Sequence, residues 1–255
     1  MPKATLTLGK PGTKKVAIIS HERSGTHFLM NSISINFGYI ASPRIDLDFN
    51  LGLNLYAPVS ILSVLKRLHN QPVLNILKSH HPIDFLIDIM DYFTEQFYVF
   101  YIYRDPRDVM VSFWKLLNDY RSKGWDEGPA TRTVSEFIRA QPRGAILRYQ
   151  KEQEPTMLHR WQTNVLGWVN YAEKNKNKVI TIRYEDLNNK FDEEMKRIAK
   201  ITGWNLSEIK RPSKYQNVIN PGKGMNGTYR EYFAPEDEDF VIEVLGNTMK
   251  KLGYL

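Results

Sequence analysis

Short apolar runs alternate along the chain with stretches of helical periodicity. Val16 to Ile19 form one such run, closed by Ser20; after the turn-like Glu22-Arg23-Ser24-Gly25, Phe28, Leu29, Ile33 and Phe37 recur at helical spacing. This predicts strand, loop, helix. Residues 73–77 form a second run, ending in Lys78-Ser79-His80-His81 and stopped by Pro82. Residues 98–103 are the clearest buried strand and lead through Arg104-Asp105-Pro106 into a helix carrying Val109, Phe113 and Leu116 or Leu117, with Pro106 suited to its first turn. Residues 179–184 predict a further strand, followed by Phe191, Met195, Ile198 and Ile201 on an amphipathic helix ending at Gly203. A last helix is predicted from Pro235, with Glu236, Asp237 and Glu238 at its start and Lys250 and Lys251 near its end. Strands separated by helices require long crossovers. They predict a single α/β domain with a mainly parallel central sheet flanked by helices.

The remaining segments carry weaker signals. Residues 121–160 hold eight Lys/Arg against five Asp/Glu, with Gly124, Gly128, Pro129, Pro142 and Gly144. They read either as a cover over a site or as a solvated, helix-containing insertion. Composition narrows the class: the 255 residues contain no cysteine, which excludes a disulfide scaffold, and a net charge of +7 favours an anionic ligand or surface. Residues 1–15 form a basic tail bearing Lys3, Lys10, Lys14 and Lys15, and the domain is expected over 16–255. The tail lacks the apolar segment of a signal peptide and no run is long enough to span a bilayer, so the expectation is a soluble, cytoplasmic protein.

In an open α/β sheet, ligands gather where strand carboxyl ends meet helix amino ends. The loop His21-Glu22-Arg23-Ser24-Gly25-Thr26-His27-Phe28 fits that place, Gly25 permitting close backbone approach and Arg23, Ser24 and Thr26 adding donors. Taken alone, Ser24 or Thr26 reads better as a helix cap. Arg104 at a strand edge and Ser112 two turns into the next helix can grip a second phosphate, with Arg107-Asp108 as an ion pair. Two tempting glycine patterns are set aside. Residues 222–227 satisfy G-x-G-x-x-G but follow no strand, and residues 9–14 lack the spacing of a nucleotide phosphate loop.

Taken together and in order, these segments resemble the cytosolic-type sulfotransferases, which use 3′-phosphoadenosine 5′-phosphosulfate (PAPS). Residues 23–28 are similar to the family's Lys-Ser-Gly-Thr-Thr-Trp loop, and Lys78-Ser79-His80-His81-Pro82 to its Lys-Thr-His-x-Pro segment. Residues 104–112 resemble its 3′-phosphate motif. Tyr184-Glu185-Asp186-Leu187, preceded by Trp161 and Trp168, and Lys223-Gly224-x-x-Gly227 followed by Tyr229 and Phe233, resemble two later signatures. The resemblance implies a P-loop-like sulfotransferase fold. It also implies that Arg23, Ser24, Gly25, Thr26 and the His27 backbone hold the 5′-phosphosulfate, and that Arg104, Ser112, Lys223 and Gly224 hold the 3′-phosphate. Phe28 and Tyr184 fall beside the adenine, and 3′-phosphoadenosine 5′-phosphate (PAP) is the product.

By the same resemblance His80 is the general base and Lys78 stabilises charge on the transferred group. Without the motif, His80 reads as a structural histidine, with His81 its competitor, and Lys78 as a strand-end lysine. Arg23 stands where the family has Lys; a guanidinium keeps its proton, so its contribution is electrostatic. His27 replaces a threonine, Gly222 replaces an arginine that Lys214, Lys223 or Arg230 could stand in for, and the family's C-terminal dimer motif is not retained across residues 230–239. The reaction needs no metal. The expected acceptor is a small-molecule hydroxyl, ahead of a glycan or a lipid-linked hydroxyl, with residues 41–72, 83–95 and 113–160 shaping its pocket and Phe85, Trp114 and Trp125 as candidate wall residues. No nucleic-acid partner is expected, and the sequence gives no oligomeric state. Two other readings stay open: a P-loop-type nucleotide-dependent kinase, and a non-catalytic polyanion- or nucleotide-binding protein.

Overall fold

The structure, a computed structural model, describes residues 8–10, 12–47, 58–213 and 225–255. Five strands form one sheet in the order β2-β3-β1-β4-β5: β1 (Lys15–Ser20), β2 (Ile40–Asp46), β3 (Asn75–Ser79), β4 (Phe97–Tyr103) and β5 (Val179–Arg183). Each pairing is parallel, so the sheet is parallel throughout rather than mainly so.

Side chains alternate across the strands, and both faces are covered. Ala17, Ile19, Val99 and Tyr101 face one core layer with helices α2 (Pro58–His69), α3 (Met90–Gln96), α4 (Pro106–Ser122), α5 (Val134–Arg139), α6 (Met157–Lys174) and α9 (Pro235–Lys251). Val16, Ile18, Phe100 and Ile102 face the other, which includes residues of α1 (Thr26–Phe37), α7 (Tyr184–Asn189) and α8 (Phe191–Thr202). The predicted helix ends hold: Pro106 and Pro235 open α4 and α9, and Gly203 closes α8 with φ 72°.

Two elements depart from the sequence reading. The second apolar run becomes strand only from Asn75, so Lys78 and Ser79 belong to β3 itself. Strand β2 was not predicted. It runs Ile-Ala-Ser-Pro-Arg-Ile-Asp, leaves Ser42 and Pro43 exposed, and shifts register between Ile40 and Ile45. Proline cannot donate to a ladder and is tolerated in such an edge strand, where the alternation that marks a strand is broken.

Candidate active site

Parallel register aligns the carboxyl ends of the strands. Asp46 lies opposite Lys78, Ile19 opposite Ser79, Ser20 opposite Ile102, and Tyr103 opposite Arg183. Across that edge follow Asp46, the Lys78–His80 segment, the loop after β1, Arg104 and Tyr184. Arg23, Gly25, Thr26, His27 and Phe28, together with Lys78, His80, Arg104, Ser112 and Tyr184, border one cavity of about 1060 Å³. That is at the upper end of the range for a single ligand, room for a nucleotide and a second substrate.

The loop after β1 is held in a costly conformation. Arg23 sits at φ 67° and Gly25 at φ 98°; at Gly25 any Cβ would collide with the Tyr184 ring, so the position needs glycine twice over. Gly25 is the N-cap of α1 and no side chain caps that helix, which overturns the reading of Ser24 or Thr26 as a cap. Thr26 Oγ1 instead shares a 2.7 Å hydrogen bond with Ser20 Oγ. Ser24 is fully buried behind the cavity wall, its Oγ without a hydrogen-bond partner among the described residues. Arg23 Nε donates to Ser112 Oγ at 2.9 Å, tying this loop to α4. Burial pushes the Arg23 pKa down from its ordinary value, but a guanidinium starts so high that it stays charged.

The loop is braced from beneath by a cluster that sequence reading missed. Arg160 of α6 donates to both Glu22 carboxylate oxygens, at 3.0 and 2.6 Å, and its Nη1 lies 2.8 Å from His21 Nε2. Burial alone would raise the Glu22 pKa; the Arg160 guanidinium overcomes it and holds the carboxyl well below the usual range. His21 is pushed down to about 4, chiefly by burial. It is therefore neutral, accepting from Arg160 at Nε2 and donating from Nδ1 to the Glu22 carbonyl oxygen at 2.9 Å.

At the end of β3, His80 Nδ1 lies 2.9 Å from the Ser20 carbonyl oxygen. A carbonyl only accepts, so Nδ1 carries the proton and the lone pair is on Nε2. The His80 and His81 carbonyls are anchored by Asn164 Nδ2 at 3.3 Å and by Trp168 Nε1 at 2.9 Å, which gives the second tryptophan of the 161/168 pair a positioning role. His81 is fully buried, its ring packed edge-on or tilted against Tyr149 and Phe85. Lys78 donates to Asp46 Oδ2 at 3.0 Å, both side chains nearly buried. Sequence reading gave Lys78 no partner, because only the strand order brings Asp46 beside it. His27 borders the same corner with its Nε2 buried and unpartnered among the described residues; burial first, then Lys78 and Arg44, push it down to about 3.

On the other flank, Arg104 Nη2 donates to the Met225 carbonyl at 2.7 Å and to Asp108 at 3.3 Å, while its buried Nε has no partner among the described residues. Its guanidinium lies 4.5 Å over the Tyr184 ring. The expected Arg107–Asp108 pair does not form. Arg107 reaches back to Asp105, two residues away, at 2.6 Å, because Asp108 is turned inward to accept from Gly227 N, Thr228 Oγ1 and Tyr229 N. Glu185 accepts from Asp105 N at 3.0 Å, so the Tyr184-Glu185 signature fixes the end of β4. Phe28 packs against Tyr184 and Phe191, with Arg211 5.3 Å above its ring. Lys223 and Gly224, like Lys214 and Gly222, lie outside the described residues.

Beyond His80 the wall carries the apolar side chains of Phe113, Leu116, Leu117, Ile146, Tyr149 and Trp125, with Lys115 and the Glu127–Arg148 pair among them. Residues 121–160 thus contribute wall as well as helix. Phe85 is core, Trp114 does not reach the cavity, and no residue of 83–95 borders it. Among the described residues no group of three or more His, Asp or Glu is placed to hold a metal, and no helix is long and apolar enough to cross a membrane.

The family model described as "Sulfotransferase domain" matches residues 13–221. Among solved structures the chain is similar to mouse sulfotransferase SULT7A1 complexed with PAP, at TM-score 0.60 and 19% identity over 95% of this chain and 86% of that one. It is likewise similar to retinol dehydratase in a complex with retinol and PAP, at TM-score 0.58 and 18% identity, covering 96% and 83% of the two chains. The sulfotransferase domain of the Synechococcus PCC 7002 olefin synthase matches at TM-score 0.53 and 15% identity over 94% and 98%.

Proposed function

The chain belongs to the sulfotransferase-domain family, and from that membership we propose that its cavity binds PAPS and passes the sulfuryl group to a small-molecule hydroxyl, with His80 as general base. Retinol and androsterone accompany PAP in the retinol dehydratase structures, which supports small hydroxylated acceptors over glycans, as do the apolar side chains of the wall beyond His80.

The residues fit the donor. Two separate anion sites are needed, and the cavity offers Arg23 with the 24–28 loop at one and Arg104 at the other. A Cβ at Gly25 would fill the cradle, and the Arg104 Nε is a buried donor in want of an acceptor. Ser112 joins the two, since Arg23 already bonds to it. Phe28 and Tyr184 supply the aromatic flank for the base.

The tautomer of His80 carries the mechanistic reading. With Nδ1–H committed to the Ser20 carbonyl, Nε2 takes the acceptor's hydroxyl proton as its oxygen bonds to sulfur and the bond from sulfur to the phosphate oxygen breaks, leaving PAP. Arg23 and Lys78 stabilise the charge that develops. Because Asp46 neutralises Lys78, the larger share falls to Arg23.

His80→Ala tests this. Transfer is expected to fall by about 10² to 10⁴ while calorimetric PAP affinity stays the same. His81→Ala opens a hole in the core and loses stability, yet its folded fraction keeps more activity than His80→Ala; the reverse ranking removes His80 from the role.

A further inference from the structure

We propose that the acceptor carries an acidic group, a carboxylate or comparable oxyanion, and that Arg44 binds it. This rests on the sulfotransferase reading above and names the substrate class of the same cavity.

The strand order fixes the geography. Reading from β5 through β4, β1 and β3 to β2, the cavity edge presents Tyr184, Arg104, the 23–28 loop, His80 and then Arg44. A donor lying over β5, β4 and β1 places its sulfur at β3, beside His80. The next strand outward, β2, then flanks the incoming acceptor. Arg44 is on β2 and borders the cavity.

Among the described residues, Arg44 is also a cation of this corner whose Nε makes no hydrogen bond. Its Nε stands 3.7 Å from Asp46 Oδ2, beyond hydrogen-bond range, and is buried without a partner among the described residues. Asp46 gives its 3.0 Å hydrogen bond to Lys78 instead. Among the described residues one carboxylate thus faces two cations where the cavity meets β2. The charge is felt inside the cavity: Arg44 is among the groups holding the His27 imidazole low. A guanidinium is a rigid fork that matches a carboxylate with two parallel hydrogen bonds, and at the edge of a partly dry cavity such a pair is stronger than in water.

The rest of the acceptor wall is largely apolar, formed by Phe113, Leu116, Leu117, Ile146 and Tyr149, and the charge of Arg148 there is met by Glu127 at 3.1 Å. Together these define an amphipathic hydroxy acid: an apolar body against α4 and residues 144–149, a hydroxyl reaching His80 and an acid reaching Arg44. Lys78 and Arg23 face the donor's sulfuryl end, Arg148 is paired with Glu127 and Lys115 lies over the Tyr232 ring, which leaves Arg44 to the acceptor.

The test uses two matched pairs at pH 7.5, 6-hydroxynaphthalene-2-carboxylate and 10-hydroxydecanoate, each against its methyl ester, titrated into the full chain saturated with PAP. At least one acid is expected to bind about 10- to 100-fold tighter than its ester, the scale of a charge-assisted hydrogen bond. Arg44→Ala abolishes that preference and Arg44→Lys restores part of it, with PAP affinity the same in all three proteins. Acid and ester binding alike, no binding of any of the four compounds, or a preference that survives Arg44→Ala overturns the proposal. So does an Arg44→Ala protein whose PAPS affinity drops relative to PAP, which assigns Arg44 to the donor's sulfuryl group. Failure of the wild-type chain to bind PAP at all brings down the sulfotransferase reading instead, and is seen before any acceptor is added.

Discussion

At one end of the cavity, Arg23 to Phe28 follow one another along a single loop and Arg104 to Ser112 along a second stretch. At the other, Arg44 and Asp46 come from β2, Phe113 from α4, and Ile146 and Tyr149 from a 3-10 segment, with Lys78 of β3 between the two ends. The proposed donor end is contiguous in sequence because backbone geometry builds it: two residues at positive φ, a helix start and a strand end. The acceptor end is assembled by topology, so its pairings exist only once the strands are in order. Each end can be broken separately.

The largest effect is expected from Arg160→Met, which leaves Glu22 buried beneath the proposed donor loop without its guanidinium partner, beside the His21 ring at 3.7 Å. Removing one partner of a buried pair costs about 3–5 kcal/mol, read as a lower urea midpoint at unchanged m-value and accompanied by weaker PAP binding. Adding Glu22→Gln recovers part of the stability, because no uncompensated charge remains; a double variant no better than the single one removes the brace from this account.

Next comes acid. His21 and His27 are held down at about 4 and about 3 in the folded chain, against about 6.5 unfolded. Above pH 6.5 both states are neutral and nothing is lost. As pH falls from 6.5 toward 4 the unfolded chain takes up protons that the folded one refuses, so each histidine removes about 1.4 kcal/mol of stability per pH unit. His27→Gln is expected to flatten the slope of Tm against pH in that window and leave the remainder to His21. An unchanged slope places His27 in a wetter setting than its buried Nε2 indicates.

Arg104→Ala separates the phosphates within the donor end. It is expected to weaken PAP by about 10- to 100-fold while adenosine 5′-phosphate, lacking the 3′-phosphate, changes little. An equal loss for both nucleotides shows that Arg104 acts instead through Met225 and Asp108, its two protein partners.

How far the sequence reaches follows the same division. The apolar runs at 16–20, 98–103 and 179–184 were strands, the last only as far as Arg183 because Tyr184 opens α7, since both faces of a parallel sheet are buried and the runs are continuous. Strand β2 escaped because Ser42 and Pro43 interrupt its apolar positions at an exposed edge. Helix α2 was not predicted, although Ile61, Leu65 and Leu68, which it buries on one face, recur at helical spacing. In the site, the loop after β1 was legible from Gly25 and its donors, whereas the Glu22–Arg160 brace joins residues 138 apart in sequence and the Lys78–Asp46 pair joins two strands whose adjacency no local pattern encodes. Arg107 was assigned the wrong aspartate because both lie within reach, and only the inward turn of Asp108 toward residues 227–229 decides between them.

The smallest effect is expected where the two ends differ most. Trp125 is 55% exposed, tilted against Tyr120 with ring centroids 5.3 Å apart, and borders the cavity. A side chain that exposed contributes little to folding, so Trp125→Ala is expected to shift stability by under about 1 kcal/mol. It touches no donor motif, so PAP affinity stays the same. What it removes is apolar surface offered to an acceptor; an acceptor that uses it loses several-fold in KM, at about 25 cal/mol per Å² of contact, with kcat held if His80 is the base proposed above, since it is untouched. A drop in kcat at constant KM breaks the division instead, since it means that the aromatic wall helps to orient the hydroxyl at His80 and that the acceptor end extends into the chemistry itself.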